Sequence, residues 1–561
     1  MPKTPNKIRT RAQESSNSIE RLYIAMRHLF SRGYYKPMGV SGATLRNSLL
    51  QLRPEIYGSL GGEQVELKGL VYVLDRLPGG IEECRFINLT ADEGYKDSSF
   101  KVIIPKKRRR NCYRIDANQM SIEVTRGRSE IYDILTHLTF LYIESHTIRK
   151  RVWLQKDNQI LHEWKQLEEI VLHDKKLTID DREVLLVYLS SILGRSYGEI
   201  KEAYADLSDK KNPDRFAQII YWLGKIAINE MQEADQKRVI KFSPDLRDNI
   251  GHHIYGDIWA DKIKETLEEN NLFDRPIHII SANMHSVMNT LYAAAALPKQ
   301  VNPEDPLEIF HILSDDNNED LRKLVKEYAA KNGLFYIKDT SGTNINVQII
   351  DTKKIDLVNQ GFDKEKDQKP VLIVMDYAFG EQAYETMDEL LKPYYHTDGT
   401  KTLMPVESVS IMGKAGILEG SKGDIMIPTA HIFEGTADNY PFKNQFRKSD
   451  FIDSGIPVIK GAMISVLGTS LQNKDILQFF YNSTWKVIGL EMEGAHYQKA
   501  IQAASKIRRT ISKNVQVRYA YYASDNPLKT GSTLASGGLG TTGVKPTYTI
   551  TQKILKQIFT Q

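Results

Sequence analysis

The sequence predicts an α/β fold for its C-terminal half and a mainly helical α+β module before it. Three observations carry this. From about residue 276, short apolar runs alternate with amphipathic stretches rich in Ala and Leu, the grammar of strands and crossover helices on both faces of a mixed or mostly parallel sheet. Between residues 129 and 231, apolar residues recur at helical spacing and the pattern breaks at Gly or Pro. At 561 residues the chain also exceeds one typical domain. The expected plan is an N-terminal module over 1–240, a linker with a lead-in helix over 241–275, and an α/β domain over 276–561.

Composition narrows the function classes. Hydrophobic residues make up 41% and charged residues 26%, the profile of a globular chain rather than a disordered or fibrous one. A net charge of +4 gives no global pull toward nucleic acid or an anionic membrane. The two cysteines, Cys84 and Cys112, make no disulfide framework and lack the spacing of a metal clip. The first 20 residues lack the apolar core of a signal peptide. No apolar run reaches the roughly 18 residues of a membrane span. The expected location is the cytoplasm.

In chain order, residues 1–18 are basic and polar and read as a frayed end. Residues 19–30 form an amphipathic helix and 41–52 a second one, joined by Gly33-Tyr34-Tyr35-Lys36-Pro37. Two short helices with such a joint are common, so DNA binding does not follow. Residues 69–74 and 81–89 read as strands around the turn Pro78-Gly79-Gly80. The run Lys106-Lys107-Arg108-Arg109-Arg110 can gather phosphate groups, but such runs are more often solvated loops, and nucleic acid is not the expected partner. His137, His146 and His162 include no i, i+4 pair of the metal-binding kind and read as structural. Residues 241–257 are polar and turn-rich, the composition of a linker. His252 and His253 within it are adjacent, so their side chains diverge.

Beyond Pro276 the strand candidates are 277–281, 309–313, 335–337, 347–350, 371–375, 406–412 and 424–427. Helices are expected over 284–297 and 377–391, and a Gly-rich turn over 413–418. Two further apolar runs, 487–490 and 515–523, end on Glu491-Met492-Glu493-Gly494-Ala495 and Ser524-Asp525-Asn526-Pro527. In an open α/β sheet the C-terminal strand edge forms the ligand crevice, which would let Glu493 and Asp525 face one pocket. The competing reading is that both acids cap helices after strands.

Glu-Met-Glu-Gly-Ala and Ser-Asp, together with Gly413-Lys414-Ala415-Gly416-Ile417-Leu418 and Gly423-Asp424-Ile425-Met426-Ile427-Pro428, resemble the ordered signatures of the nucleoside phosphorylase and nucleosidase superfamily. The resemblance covers roughly 276–561 and implies a three-layer α/β/α nucleoside-phosphorylase-like domain. Residues 524–528 and the Gly-rich tail after them are most similar to the AMP nucleosidase branch. The resemblance implies cleavage of the N-glycosidic bond of a purine nucleoside or nucleotide, with no cofactor and no metal, by a homo-oligomer. Asp525 would be the acid to the purine and Ser524 its orienting partner. Glu493 would hold the ribose hydroxyls as a carboxylate and Met492 would pack on the sugar, leaving Glu491 a structural part.

The acceptor stays open between water and inorganic phosphate. Ala282-Asn283-Met284-His285-Ser286 falls where methylthioadenosine nucleosidases carry glutamates, and it contains none. Ile411 and Lys414 stand where phosphorylases place phosphate-binding residues, and Lys414 beside Gly413 is either a phosphate ligand or a surface charge. Asn283, His285 and His431 are candidate water-orienting groups or ordinary loop residues. Phe379 and Gly380, in the turn after 371–375, can present backbone N–H groups to an anion. The segment 530–542 is either a lid or a surface loop. Three readings therefore stand: hydrolase, purine nucleoside phosphorylase, and a nucleotide-binding protein with little turnover.

Overall fold

A computed structural model describes residues 10–108, 110–154, 159–173, 177–233, 235–357, 369–396, 398–436, 438–529 and 540–560. It divides into two compact units, one running to His252 and including Ser470–Ile476, the other comprising His253–Thr469 and Leu477–Gln561.

The first unit pairs a six-stranded sheet with helices. Its first helix begins at Arg11, because Thr10 and Gln13 close a capping box there, so residues 11–18 are helical rather than frayed. Residues 67–74 are also a helix, not a strand: Leu67, Leu70 and Val73 share one buried face at helical spacing. A short apolar run cannot settle period by itself. The stretch 81–89 opens with a 3-10 turn, Ile81–Glu83, before the strand Phe86–Thr90. The long helix Gly127–Val152 is buried along most of its length.

The basic run is solvated only in part: Lys106 and Lys107 are exposed, whereas Arg108 and Arg110 turn inward. Arg110 lies 3.3 Å from Glu130 and 3.2 Å from Asp133, and Arg108 lies 3.1 Å from Asp133. These guanidiniums compensate carboxylates that the long helix carries into the interior. The supposed linker is ordered too. It contains the strand Val239–Phe242, the helix Pro244–Gly251 capped by Ser243, and the start of Ile254–Glu269. The break between units falls at His253, whose φ of +57° interrupts the helical path.

The second unit is built on a mixed ten-stranded sheet. Val371–Met375, Ile277–Ser281, Val406–Ile417 and Gln516–Asp525 run parallel, with Val347–Asp351 and Leu334–Ile337 added antiparallel at one edge. Side chains alternate between two cores. Val371 and Ile373 join Trp259, Ile263, Met387 and Ala500 on one face, whereas Leu372 and Val374 join Val287, Leu291, Ile554 and Leu555 on the other. Helices thus cover both faces, as period-2 burial requires. Residues 309–313, expected as a strand, lie in the helix Glu308–Ser314.

The far side of the sheet closes on itself. Val406–Ile417 pairs with Val487–Glu491, that strand with Val458–Ser465, that with Ile425–Phe433, that with Gln516–Asp525, and the last returns to Val406–Ile417. Residues 413–417, expected as a turn, are part of this ring because Val406–Ile417 must be long enough to serve both the parallel sheet and the ring. Gly489 makes room inside it: a Cβ there would stand 2.5 Å from Met426 Sδ and 2.6 Å from the Gly416 carbonyl oxygen. Gly489→Ala is therefore expected to destabilise the second unit by about 3 kcal/mol. Chemical denaturation checks this, and an unchanged midpoint contradicts the packing.

Candidate active site

Three strand ends of the ring meet at one place. Gly416 faces Leu490 across one ladder and Asp525 across the other. Those two Cα positions are separated by two strand spacings, about 10 Å. Between Ala415 and Gly416 the register slips, since Ala415 pairs with Ala523 but Gly416 pairs with Asp525. Ser524 is the extra residue of a β-bulge, the device that re-aims side chains at a strand end. The Ser524 hydroxyl hydrogen-bonds Asp525 Oδ1 and lies 3.2 Å from the Ala415 carbonyl. Asp525 is 5% exposed, and its Oδ2 is buried with no hydrogen-bond partner among the described residues. Burial raises its pKa above the ordinary range, while the Ser524 hydroxyl and the positive charges of Lys414 and Lys422 pull the other way. Lys414 is exposed on its strand.

Glu491 and Glu493 divide their tasks. The buried Glu491 carboxylate accepts the Ser465 hydroxyl at one oxygen, and at the other the backbone N–H groups of Glu493 (2.6 Å) and Gly494. The Ser465 oxygen in turn accepts Ala495 N–H at 2.8 Å. The first N–H groups of the helix Gly494–Gln502 are thus capped by the strand end itself. Burial pushes Glu491 up to about 7 against those donors.

Glu493, half-buried, accepts Gly380 N–H at 2.9 Å. Gly380 takes a φ of +56° in that turn. Burial, with the Glu491 charge adding, pushes Glu493 up to about 8.

Other predicted residues fall around these. Met492 and Leu528, one beyond each strand end, pack on the same apolar cluster with Leu418 and Ile432. Tyr497 lies 3.0 Å from the Ser281 hydroxyl and receives Ala378 N–H, so three loops close around Glu493. Phe379 N–H donates to Gln382 at 3.2 Å, which turns the loop into the helix Gln382–Leu390. Asn283 caps the helix Met284–Ala296 by accepting His285 N–H, and His285 is exposed. Gly413 lies within its strand against the ring of Tyr521, where a Cβ would stand 3.0 Å away.

His431 is a core residue rather than a water-orienting one. It is fully buried, stacked on Phe442, and 3.3 Å from the Tyr521 hydroxyl; burial lowers its pKa to about 3. Gly494 permits this packing, since a Cβ there would fall on the His431 ring.

Ser465, Tyr497 and Tyr521 escaped the sequence reading. Ser465 ends a strand whose mixed composition, Val-Ile-Lys-Gly-Ala-Met-Ile-Ser, gave no clear period; Tyr521 stood inside an apolar run and Tyr497 in a polar stretch of helix. Most of segment 530–542 lies outside the described residues; residues 540–543 form a 3-10 turn. Among the described residues no cluster of three His, Cys, Asp or Glu can hold a metal ion, and no helix is long and apolar enough to cross a membrane.

This is an α/β unit whose closed ring of strands carries two acidic side chains with raised pKa just past or at the ends of two strands that flank a third. The chain belongs to the family described as a family of unknown function, DUF6909, which matches residues 43–301 and 310–560. No curated protein matches the sequence. Among solved structures, futalosine hydrolase of Helicobacter pylori strain 26695 is similar at 13% identity and a TM-score of 0.31, over 51% of this chain and 99% of that one. The 5'-methylthioadenosine/S-adenosyl homocysteine nucleosidase of Campylobacter jejuni is similar at 11% identity and a TM-score of 0.30, over 51% of this chain and 100% of that one. Matches this distant do not carry an activity across, so the chemistry rests on the site's own side chains.

Glu491 supplies a test of that electrostatics. Its folded pKa of about 7 lies above the ordinary 4.5, so the folded chain holds the proton more tightly than the unfolded one. The stabilisation is complete below about pH 4.5 and is lost as pH rises toward 7, by up to roughly 3 kcal/mol. Glu491→Gln is expected to flatten that part of the stability profile between pH 5 and 8. An identical slope in urea titrations of the variant contradicts it.

Proposed function

We propose that this chain is an N-ribosyl hydrolase acting on a purine nucleoside or nucleotide, with AMP the most specific substrate. One observation carries the reading: a buried Asp525 carboxyl group, bulge-oriented and bonded by Ser524 at one oxygen only, stands one strand away from the chain end that bears Glu493. A neutral carboxyl group with a free oxygen can donate its proton to purine N7 while the bond from the ribose C1′ to the base breaks, so that the base leaves uncharged. Glu493 accepts the ribose hydroxyls, and two such donors favour its ionised form, which then faces the cationic sugar of the transition state. Water adds to C1′ as the base departs, and the proton it releases restores the Asp525 carboxyl group, which completes hydrolysis. The four motifs Gly413–Leu418, Gly423–Pro428, Glu491–Ala495 and Ser524–Asp525 support the same assignment.

A nucleotide-binding protein without turnover is the second reading. It is favoured by the 282–286 segment, which has no glutamate and whose Asn283 side chain serves a helix cap. A phosphorylase is the third, favoured by the Lys414 charge near Asp525.

Purified chain incubated with AMP, adenosine, inosine and methylthioadenosine, with and without phosphate, separates them by chromatography of the free base. Release without phosphate supports the hydrolase, release only with phosphate the phosphorylase, and binding without release the nucleotide-binding protein. Asp525→Asn is expected to lower release about 10²–10⁴-fold while sparing binding. Unchanged turnover in that variant removes the acid role. Lys414→Gln takes away a charge that favours the Asp525 carboxylate, so the acid form persists to higher pH and the alkaline limb of the rate profile moves upward. A limb that moves down, or stays, contradicts the coupling.

A further inference from the structure

A short piece of the first unit comes from the middle of the second unit's chain. Ser470–Ile476 packs with the chain that runs to His252, although Thr469 before it and Leu477 after it belong to the second unit. The piece lies in the crossover between Val458–Ser465 and Val487–Glu491, the parallel neighbours whose ends carry the Ser465–Glu491 bond.

Within the first unit this piece is held at several points. Asn473, 4% exposed, donates from Nδ2 to the Ser15 hydroxyl at 3.1 Å and to the Leu52 carbonyl at 2.9 Å. Its Oδ1 accepts Ile476 N–H at 3.0 Å, so the same side chain starts the helix Lys474–Asn482. The Glu55 carboxylate accepts Lys474 N–H at 3.1 Å, and Glu55 N–H donates to the Gln472 carbonyl at 3.2 Å. The Ser470 hydroxyl bonds Tyr57, whose own hydroxyl lies 2.8 Å from His137 Nδ1.

Little slack separates these anchors from the candidate site. On one side, Val466 N–H donates to the Glu491 carbonyl at 2.8 Å and Leu467 N–H to the Glu434 carboxylate at 3.2 Å, and Gly468 and Thr469 alone stand between Leu467 and Ser470. On the other side, one helix carries Lys474–Ile476 in the first unit and continues from Leu477 in the second. Leu477 is 2% exposed and belongs to the apolar cluster on which Met492 and Leu528 pack. A short helix without Pro or Gly does not kink, so its first turn cannot shift without moving Leu477.

We propose that the first unit braces the candidate site through this crossover: its hold on Ser470–Ile476 keeps the loop after Ser465 and the helix Lys474–Asn482 ordered beside the strand ends. The brace is a property of backbone and hydrogen bonds, and it stands under each of the three readings of the site's activity.

Hydrogen–deuterium exchange on the full chain tests the brace. Asn473→Asp keeps the acceptor for Ile476 N–H but cannot donate to Ser15 or Leu52. Exchange in residues 466–469 and 477–482 is expected to rise about tenfold or more in this variant, while Val371–Met375 exchanges as before. Glu55 is exposed, so Glu55→Ala tests the same hold without disturbing the core, and it is expected to accelerate the same two stretches by a smaller factor. Tyr221→Phe removes a hydroxyl that bonds Glu168 elsewhere in the first unit and should leave both stretches unchanged. Unaltered exchange in 477–482, equal acceleration in Val371–Met375, or the same acceleration in Tyr221→Phe would each overturn the proposal.

Discussion

The arrangement of the candidate site depends on one buried carboxyl group, that of Glu491. Glu491 accepts the Ser465 hydroxyl and the N–H groups of Glu493 and Gly494, so a side chain at the end of one strand fastens the end of its neighbour and the start of a helix. Left unpaired, those buried donors would each cost on the order of 1–3 kcal/mol. Satisfied together, they fix the chain direction at Glu493, whose outer oxygen then meets Gly380. The same arrangement sets the local electrostatics, because a second carboxyl group beside Glu491 ionises reluctantly.

Much of this unit was legible in its sequence because parallel strands buried on both faces appear as unbroken apolar runs. Val371–Met375 and Ile277–Ser281 were visible for that reason. Other elements were ambiguous. Ile309–Leu313 has the length and apolarity of a strand but lies in a helix, and Leu67–Leu74 repeats the case in the first unit. The Gly-rich 413–418 segment suggested a turn, yet its glycines serve close approach within a strand: Gly413 admits the Tyr521 ring and Gly416 faces two partner strands.

The site was legible as chemistry and illegible as geometry. Acidic residues after apolar runs located Glu493 and Asp525, but nothing local announces the bulge at Ser524 that turns Asp525 to its present face. Nor does sequence reveal that Ser465, distant in the chain, completes the Glu491 network. The basic run misled at two positions, Arg108 and Arg110. Its solvated appearance ignored Glu130 and Asp133, which become neighbours only after the long helix is placed.

Closure of the ring has a consequence for motion. Val487–Glu491 and Gln516–Asp525 are each flanked by partners on both sides, so neither can peel away as an edge strand does. Opening that exposes their backbone must disrupt two ladders at once, which places these strands among the last parts of the unit to exchange with solvent. Local opening of this unit therefore falls to the loops between these strands rather than to the ring itself.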